Sequence, residues 1–342
     1  MKSARLFPLL LATAMSASAL AQTPAAHPAP GEIVAAAKSA DWLAIASDDL
    51  LVMTLAPDAG GKARRVVIQL LPAPLNAGWV GNIKALAKAH WYDGIAVVRV
   101  QDNYVTQWGD PAGDDEAKAK ALPPGLKVMT EAQYETAPDA GIAASMAIAA
   151  ATRAMDAAQR ATAAAEAVEK QRPAPADEPR GDPYADQVLF HAGWPLASTA
   201  GGDRVWPVHC YGYVGVGRGM SPNTGSGAEL YAVIGHAPRH LDRNIAVVGR
   251  VIEGIEHLSS LPRGTGPLGF YETAAERTPI LSVRLASDMP AKERPQFQYL
   301  STESDAFAHY ADARANRRDP FFIVPAGGAD ICNIPVPVRR KP

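Results

Sequence analysis

Arg99 stands inside the apolar run Ala96-Val97-Val98-Arg99-Val100, and this one charge constrains the chain more than any other feature. Valines at 97, 98, 100 and 105, with Tyr104, supply the β-branched and aromatic content of a buried hairpin. The polar break at 101–103 is its turn, and Gln107 with Gly109-Asp110 ends the second strand. A guanidinium in such a run is costly to bury unless something pairs with it. Arg99 is therefore either half of a structural ion pair or a donor aimed at a ligand.

Runs of the same kind recur along the chain. Residues 50–54 and 65–71 read as strands split by the turn signal Pro57-Asp58-Ala59-Gly60-Gly61. Residues 76–90 have helical spacing, with Trp79, Ile83, Leu86 and Ala87 on one face. Strand character returns at 205–216, 229–234, 245–251 and 280–285, followed by a helical stretch at 304–317, FFIV at 321–324 and ICNIPVPV at 331–338. Between the two groups of strands, residues 112–204 depart from this pattern. The alanine-dominated segment 140–171 predicts a helix about 45 Å long at ~1.5 Å per residue, capped by Pro138-Asp139 and stopped by Pro173. Its apolar stripe is weak, which predicts a solvated insertion packed loosely on the domain. Residues 172–184, with their prolines and alternating charges, read as a flexible linker.

The start of the chain has the form of a secretory signal: Lys2 and Arg5, an apolar core at 6–14, and Ala19-Leu20-Ala21 as a cleavage site. Residues 1–21 are read as that signal and the Ala/Pro-rich residues 22–34 as a flexible linker. No later segment reaches ~18 uninterrupted apolar residues, so no membrane span is expected. Loss of Lys2 and Arg5 from 33 basic and 35 acidic residues leaves a net charge of −4, which gives no electrostatic case for nucleic acid. Cys210 and Cys332 are the only cysteines. An even pair in an oxidising compartment favours a disulfide over a catalytic site, with buried free thiols as the alternative. His236 and His240 are four apart, but Pro238 lies between them and no HExxH glutamate accompanies them, so no metal is expected. No complete GxGxxG and no P-loop lysine supports a nucleotide. Asp93 and Asp110 read as turn caps rather than as an acid–base pair.

Two stretches carry a resemblance. Tyr92-Asp93-Gly94, Arg99, Gln107 and Gly109-Asp110 form the first; Pro222-Asn223-Thr224, Gly227, Leu241-Asp242, Val247, Gly249-Arg250-Val251 and Gly254 form the second. In this order they resemble the signatures of cyclophilin-type peptidyl-prolyl isomerases. With HCYGYVGVGR, HAPRHLDRN, LPRGTGPLGFYE and the ICN tail, the whole chain looks like the exported cyclophilins of proteobacteria. The resemblance implies a mainly β fold: a closed antiparallel barrel capped by helices, occupying 35–290, with the helical insertion at 112–204 and a C-terminal extension at 291–342.

The same resemblance implies a cofactor-free cis–trans isomerase of X–Pro bonds in exported proteins, acting as a periplasmic monomer on proline-containing unfolded chains. Arg99 and Gln107 become the catalytic pair. Tyr104, Val105, Tyr231 and Leu241 would form the proline pocket, with His240 at its rim and Glu229 beside it. Glu229 replaces the family's glutamine, Tyr231 its phenylalanine, Ile245 its histidine, and Gly219 aligns with its substrate-binding asparagine. These departures leave an apolar pocket but remove two polar contacts. They open a second reading, a catalytically weak peptide-binding chaperone or envelope assembly factor. A third is a structural envelope protein that docks a partner through the Ala-rich helix.

Overall fold

Eight short strands close into an antiparallel barrel in the computed structural model, which describes residues 27–169 and 181–342. They are β1 (Leu50–Leu55), β2 (Arg64–Leu70), β3 (Ala96–Val100), β4 (Val105–Gly109), β5 (Tyr213–Val216), β6 (Leu230–Val233), β7 (Val247–Glu253) and β8 (Thr278–Leu285). Around the barrel the order is β6-β4-β3-β8-β1-β2-β7-β5, closing back onto β6. This is the expected fold class.

Alternation along β1 and β2 explains why both strands carry consecutive apolar residues, at 50–53 and 66–68. Leu51, Met53, Leu55, Val66, Ile68 and Leu70 enter the main core. Leu50, Val52 and Val67 point the other way, into a second cluster with Ile45, Ala286 and Phe297. Phe297 belongs to the C-terminal extension, whose strand Phe297–Leu300 pairs with both Trp42–Ala44 and Val338–Arg340. The outer face of β1–β2 is thus covered, and what remains open is elsewhere on the barrel. The helix Ala77–Lys88 plugs the barrel with Trp79, Ile83, Leu86 and Ala87, the face its spacing predicts.

The insertion is more ordered than a loose excursion. Its helix runs Ala140–Glu169, and Asp139 Oδ1 accepts from the Ile142 amide at 2.8 Å as the cap. Ile142 is fully buried, and Ser145 and Arg153 bond to His191 and Gln187. Those partners lie on a three-stranded sheet, Gln187–His191, Trp194–Ser198 and Val205–Pro207, two strands of which lie in the region with no legible pattern. Tyr134 stacks on Trp79 at 5.3 Å. The linker expectation also needs correction at Asp182, whose side chain is 4% exposed because Arg239 grips it; residues 172–180 lie outside the described residues.

Residues 1–26, which include the signal expectation, also lie outside the described residues. The linker expected over 22–34 is corrected at its end. Pro30–Ala36 forms a helix, and Ile33 and Val34 pack on a cluster of Trp42, Leu300, Phe307 and Tyr310. Cys210 and Cys332 are joined as a disulfide, tying the extension to the segment that leads into β5. Among the described residues, no helix is long and apolar enough to cross a membrane.

Candidate active site

Arg99 owes its position to one extra residue. On β3–β4, Val97 pairs with Trp108 and Val100 with Thr106, and all four side chains are buried. Strict alternation from Val97 would turn Arg99 toward that same core face. The register shifts between Val97 and Arg99, so Val98 is a β-bulge and Arg99 pairs with Gln107 on the outer face. The row continues across the sheet: Gln107 pairs with Tyr231, and Tyr231 with Gly215. Residues far apart in sequence are thereby aligned on one side of the barrel.

The guanidinium is half-buried and held on three sides. Its Nε donates to the Leu268 carbonyl at 2.7 Å, one terminal nitrogen to Gln107 Oε1 at 3.0 Å, and the other to Gln101 Oε1. The rings of Phe270 and Tyr104 lie 5.2 and 5.6 Å from its centre. Three of five N–H donors are engaged and two remain. No carboxylate forms an ion pair with Arg99 among the described residues, so the structure gives no support to the ion-pair alternative. Burial lowers its pKa, against the opposing pull of Tyr104 and Glu229.

Gln107 is buried and works in both directions: its oxygen accepts from Arg99, and its amide nitrogen donates to Glu229 Oε1. A carboxylate can only accept, so Glu229 fixes which way the amide faces. Burial raises the Glu229 pKa, and the Gln107 hydrogen bond opposes that rise.

Beside this pair lies a small apolar cluster separate from the main core. Val105, Tyr231 and Val233 are buried in it, with Tyr104, Leu241 and Ile245 half-buried around them. Tyr104, Val105, Tyr231 and Leu241 are therefore together, as expected of a pocket. Ile245 joins them, so its replacement of a histidine adds apolar surface. His240 is exposed on the turn Arg239–Leu241. Gly219 is exposed, its amide donating to Asn223 Oδ1 at 3.2 Å. Asp110 caps its turn by accepting from the Ala112 and Lys120 amides. Asp93 departs from its expected turn role, pairing instead with Arg284 through two 2.7 Å bonds.

Sequence reasoning missed Gln101, Leu268 and Phe270. The last two lie on a loop that runs beside β3, with Gly264 N bonded to Val100 O and Tyr271 N to Val98 O. Gly269 lets the loop approach: its φ is +80°, and a Cβ there would lie 2.7 Å from the Val100 carbonyl. The glycines of RGTGPLGF were the available signal.

The family description that matches the chain is cyclophilin type peptidyl-prolyl cis-trans isomerase/CLD, over residues 65–285. The chain belongs to this family. It is a cyclophilin and a peptidyl-prolyl cis–trans isomerase. Among solved structures, cyclophilin AquaCyp293 from Hirschia baltica superposes with a TM-score of 0.58 at 19% identity, covering 87% of this chain and 93% of its own. That likeness is one of fold. A cyclophilin-type isomerase from Cryptosporidium parvum aligns at a TM-score of 0.36 and 11% identity, over 69% of this chain and 97% of its own. No curated protein matches the chain. The family match spans the Arg99 row and the apolar cluster of this cyclophilin, and leaves 286–342 outside.

Proposed function

We propose that this cyclophilin isomerises X–Pro bonds of exported proteins in the periplasm, with Arg99 as the donor that stabilises the twisted amide. Rotation about an X–Pro bond crosses a barrier of roughly 18–20 kcal/mol because it destroys amide resonance. No acid, base or nucleophile is needed. As resonance is lost the prolyl nitrogen becomes pyramidal and basic, and a fixed cation beside it binds that geometry better than the planar ground state. Arg99 has two free N–H donors for this, and its other three are anchored, so little reorganisation accompanies the reaction.

The proline ring would sit on the cluster of Tyr104, Val105, Tyr231 and Leu241, with His240 at the rim. Gln107 positions Arg99, and Glu229 orients Gln107. The carrying observation is the juxtaposition of a restrained guanidinium with an apolar cluster that lies outside the main core. An oxidising location agrees with the Cys210–Cys332 bond, and the residues 1–21 have the composition of an export signal.

A protease-free isomerisation assay on residues 22–342, comparing wild type with Arg99→Ala, tests the reading. A rate enhancement that collapses in the variant, with circular dichroism unchanged, is the expected result. Absence of any enhancement over a panel of X–Pro peptides would replace catalysis with peptide holding. The substituted positions Gly219 and Glu229 favour that second reading.

A further inference from the structure

Tyr231, buried in the apolar cluster, sends its hydroxyl to a buried imidazole rather than to another member of the cluster. Tyr231 Oη lies 2.9 Å from His209 Nε2, and the two rings are nearly parallel at 9°. On its other edge, His209 Nδ1 lies 2.9 Å from Asp242 Oδ1, which also accepts the His209 backbone amide at 2.9 Å. His209 is fully buried, Tyr231 is 4% exposed and Asp242 is 7% exposed. Asp242 is itself fixed. Arg239 Nε donates to its other oxygen at 2.6 Å, and the terminal nitrogens of Arg239 fork onto Asp182 at 2.8 and 3.1 Å.

The proton order follows from the acceptors. Asp242, ion-paired to Arg239, only accepts, so Nδ1 carries the imidazole proton. Nε2 of the neutral ring is then an acceptor, and the Tyr231 O–H donates to it. Burial and the nearby Asp242 charge both raise the phenol pKa, which keeps that donor protonated. A second observation comes from the facing strand. Gly215 pairs with Tyr231, and a Cβ there would lie 2.3 Å from both Cζ and Oη. The missing side chain makes the room the hydroxyl occupies.

We infer that His209 is a positioning residue of this isomerase, which acts through the Tyr231 hydroxyl to keep the proline pocket apolar. The inference rests on the proposed proline pocket. A buried hydroxyl left without a partner costs free energy, and here that cost falls on the ring that carries the proline pocket. His209 draws the hydroxyl under the floor and leaves the ring face for proline. Asp242 sets the tautomer that makes this possible. It also lies next to Leu241, so one network holds the floor and a wall.

The test is a substitution cycle in the full chain, with an Ala–Pro peptide and a protease-free assay. His209→Leu is expected to lower kcat/KM roughly tenfold, chiefly through KM, since it orphans a buried hydroxyl. Tyr231→Phe should cost roughly threefold or less, because the ring stays apolar. The double variant His209→Leu/Tyr231→Phe should recover to within roughly threefold of wild type, as neither orphan remains. A packing role predicts no such rescue. A double variant as impaired as His209→Leu, both with wild-type circular dichroism, would overturn the inference, as would an unaffected His209→Leu.

If His209→Leu does not fold, side-chain ¹⁵N spectra of the wild type decide. An unprotonated Nε2 that shifts when the peptide saturates is the expected result, and a protonated or unmoved Nε2 overturns it. Wild type without isomerase activity overturns the pocket reading and this inference together. An active wild type silenced by Arg99→Ala but indifferent to His209 overturns this inference alone.

Discussion

Two arginine–glutamine pairs face each other across neighbouring strands of this barrel, and only one makes a candidate site. Arg99 pairs with Gln107 on β3–β4, and Arg250 with Gln69 on β7–β2. Both guanidinium groups bond to the glutamine oxygen and to a loop carbonyl, Leu268 in one case and Gly193 in the other. Both lie near an aromatic ring, Arg250 at 4.5 Å from Trp194. The difference is cover. Gly193 and Trp194 belong to the insertion's hairpin, which closes over Arg250 and leaves it 5% exposed. Arg99 stays half-open beside apolar side chains. A cation in a strand becomes a site when its surroundings leave room for a ligand, and becomes structure when a neighbour fills that room.

The largest effect should come from removing the cover. Trp194 is fully buried, so Trp194→Ala should cost about 3–5 kcal/mol and lower Tm on the order of 10 °C. Below that Tm, kcat/KM should stay near wild type, and a hundredfold loss would mean the covered pair reaches the site.

Next comes a crossed test of the two arginines. Arg99→Ala should reduce kcat/KM by about a hundredfold or more with Tm nearly unchanged. Arg250→Ala should do the reverse, losing about 2–4 kcal/mol by orphaning Gln69 and the Gly193 carbonyl while activity persists. Urea unfolding paired with the isomerase assay separates the outcomes, and identical behaviour of the two variants would erase the distinction.

The smallest effect concerns Glu229, a third member that the Arg250–Gln69 pair lacks. Burial holds its carboxyl above the unfolded value, so the folded state binds the extra proton and stability falls as pH rises through the folded pKa. Glu229→Gln should therefore raise Tm by about 1–2 °C at pH 7, and the gain should vanish below pH ~4, where the unfolded carboxyl is also protonated. Thermal scans at the two pH values check the sign.

The barrel was legible because its strands obey a two-residue period with turn residues between them, and Arg99 was legible as a charge in the wrong company. The hairpin 187–198 was not, although Ala192-Gly193 at its tip has φ of 47° and 82°. Such a two-residue turn between apolar runs is a hairpin signal, but the adjoining alanine-rich and proline-rich segments masked it. The helix Pro30–Ala36 hid in a stretch whose composition suggested disorder, because most of the cluster that receives Ile33 and Val34 lies in the distant extension. Leu268, Phe270 and His209 act through contacts 22 to 171 residues away in sequence, which no local pattern encodes.

The bulge at Val98 sets different tolerances to gained and lost residues along the chain. More than ninety residues separate β4 from β5, yet the two strands still flank β6 in register. Deleting Val98 would only remove the bulge and leave Arg99 on the outer face, whereas deleting Thr106 from β4, which carries no spare residue, would turn Val105 from the outer cluster toward the core face. For this barrel, a whole subassembly gained between strands disturbs the outer face less than one residue lost within a regular strand.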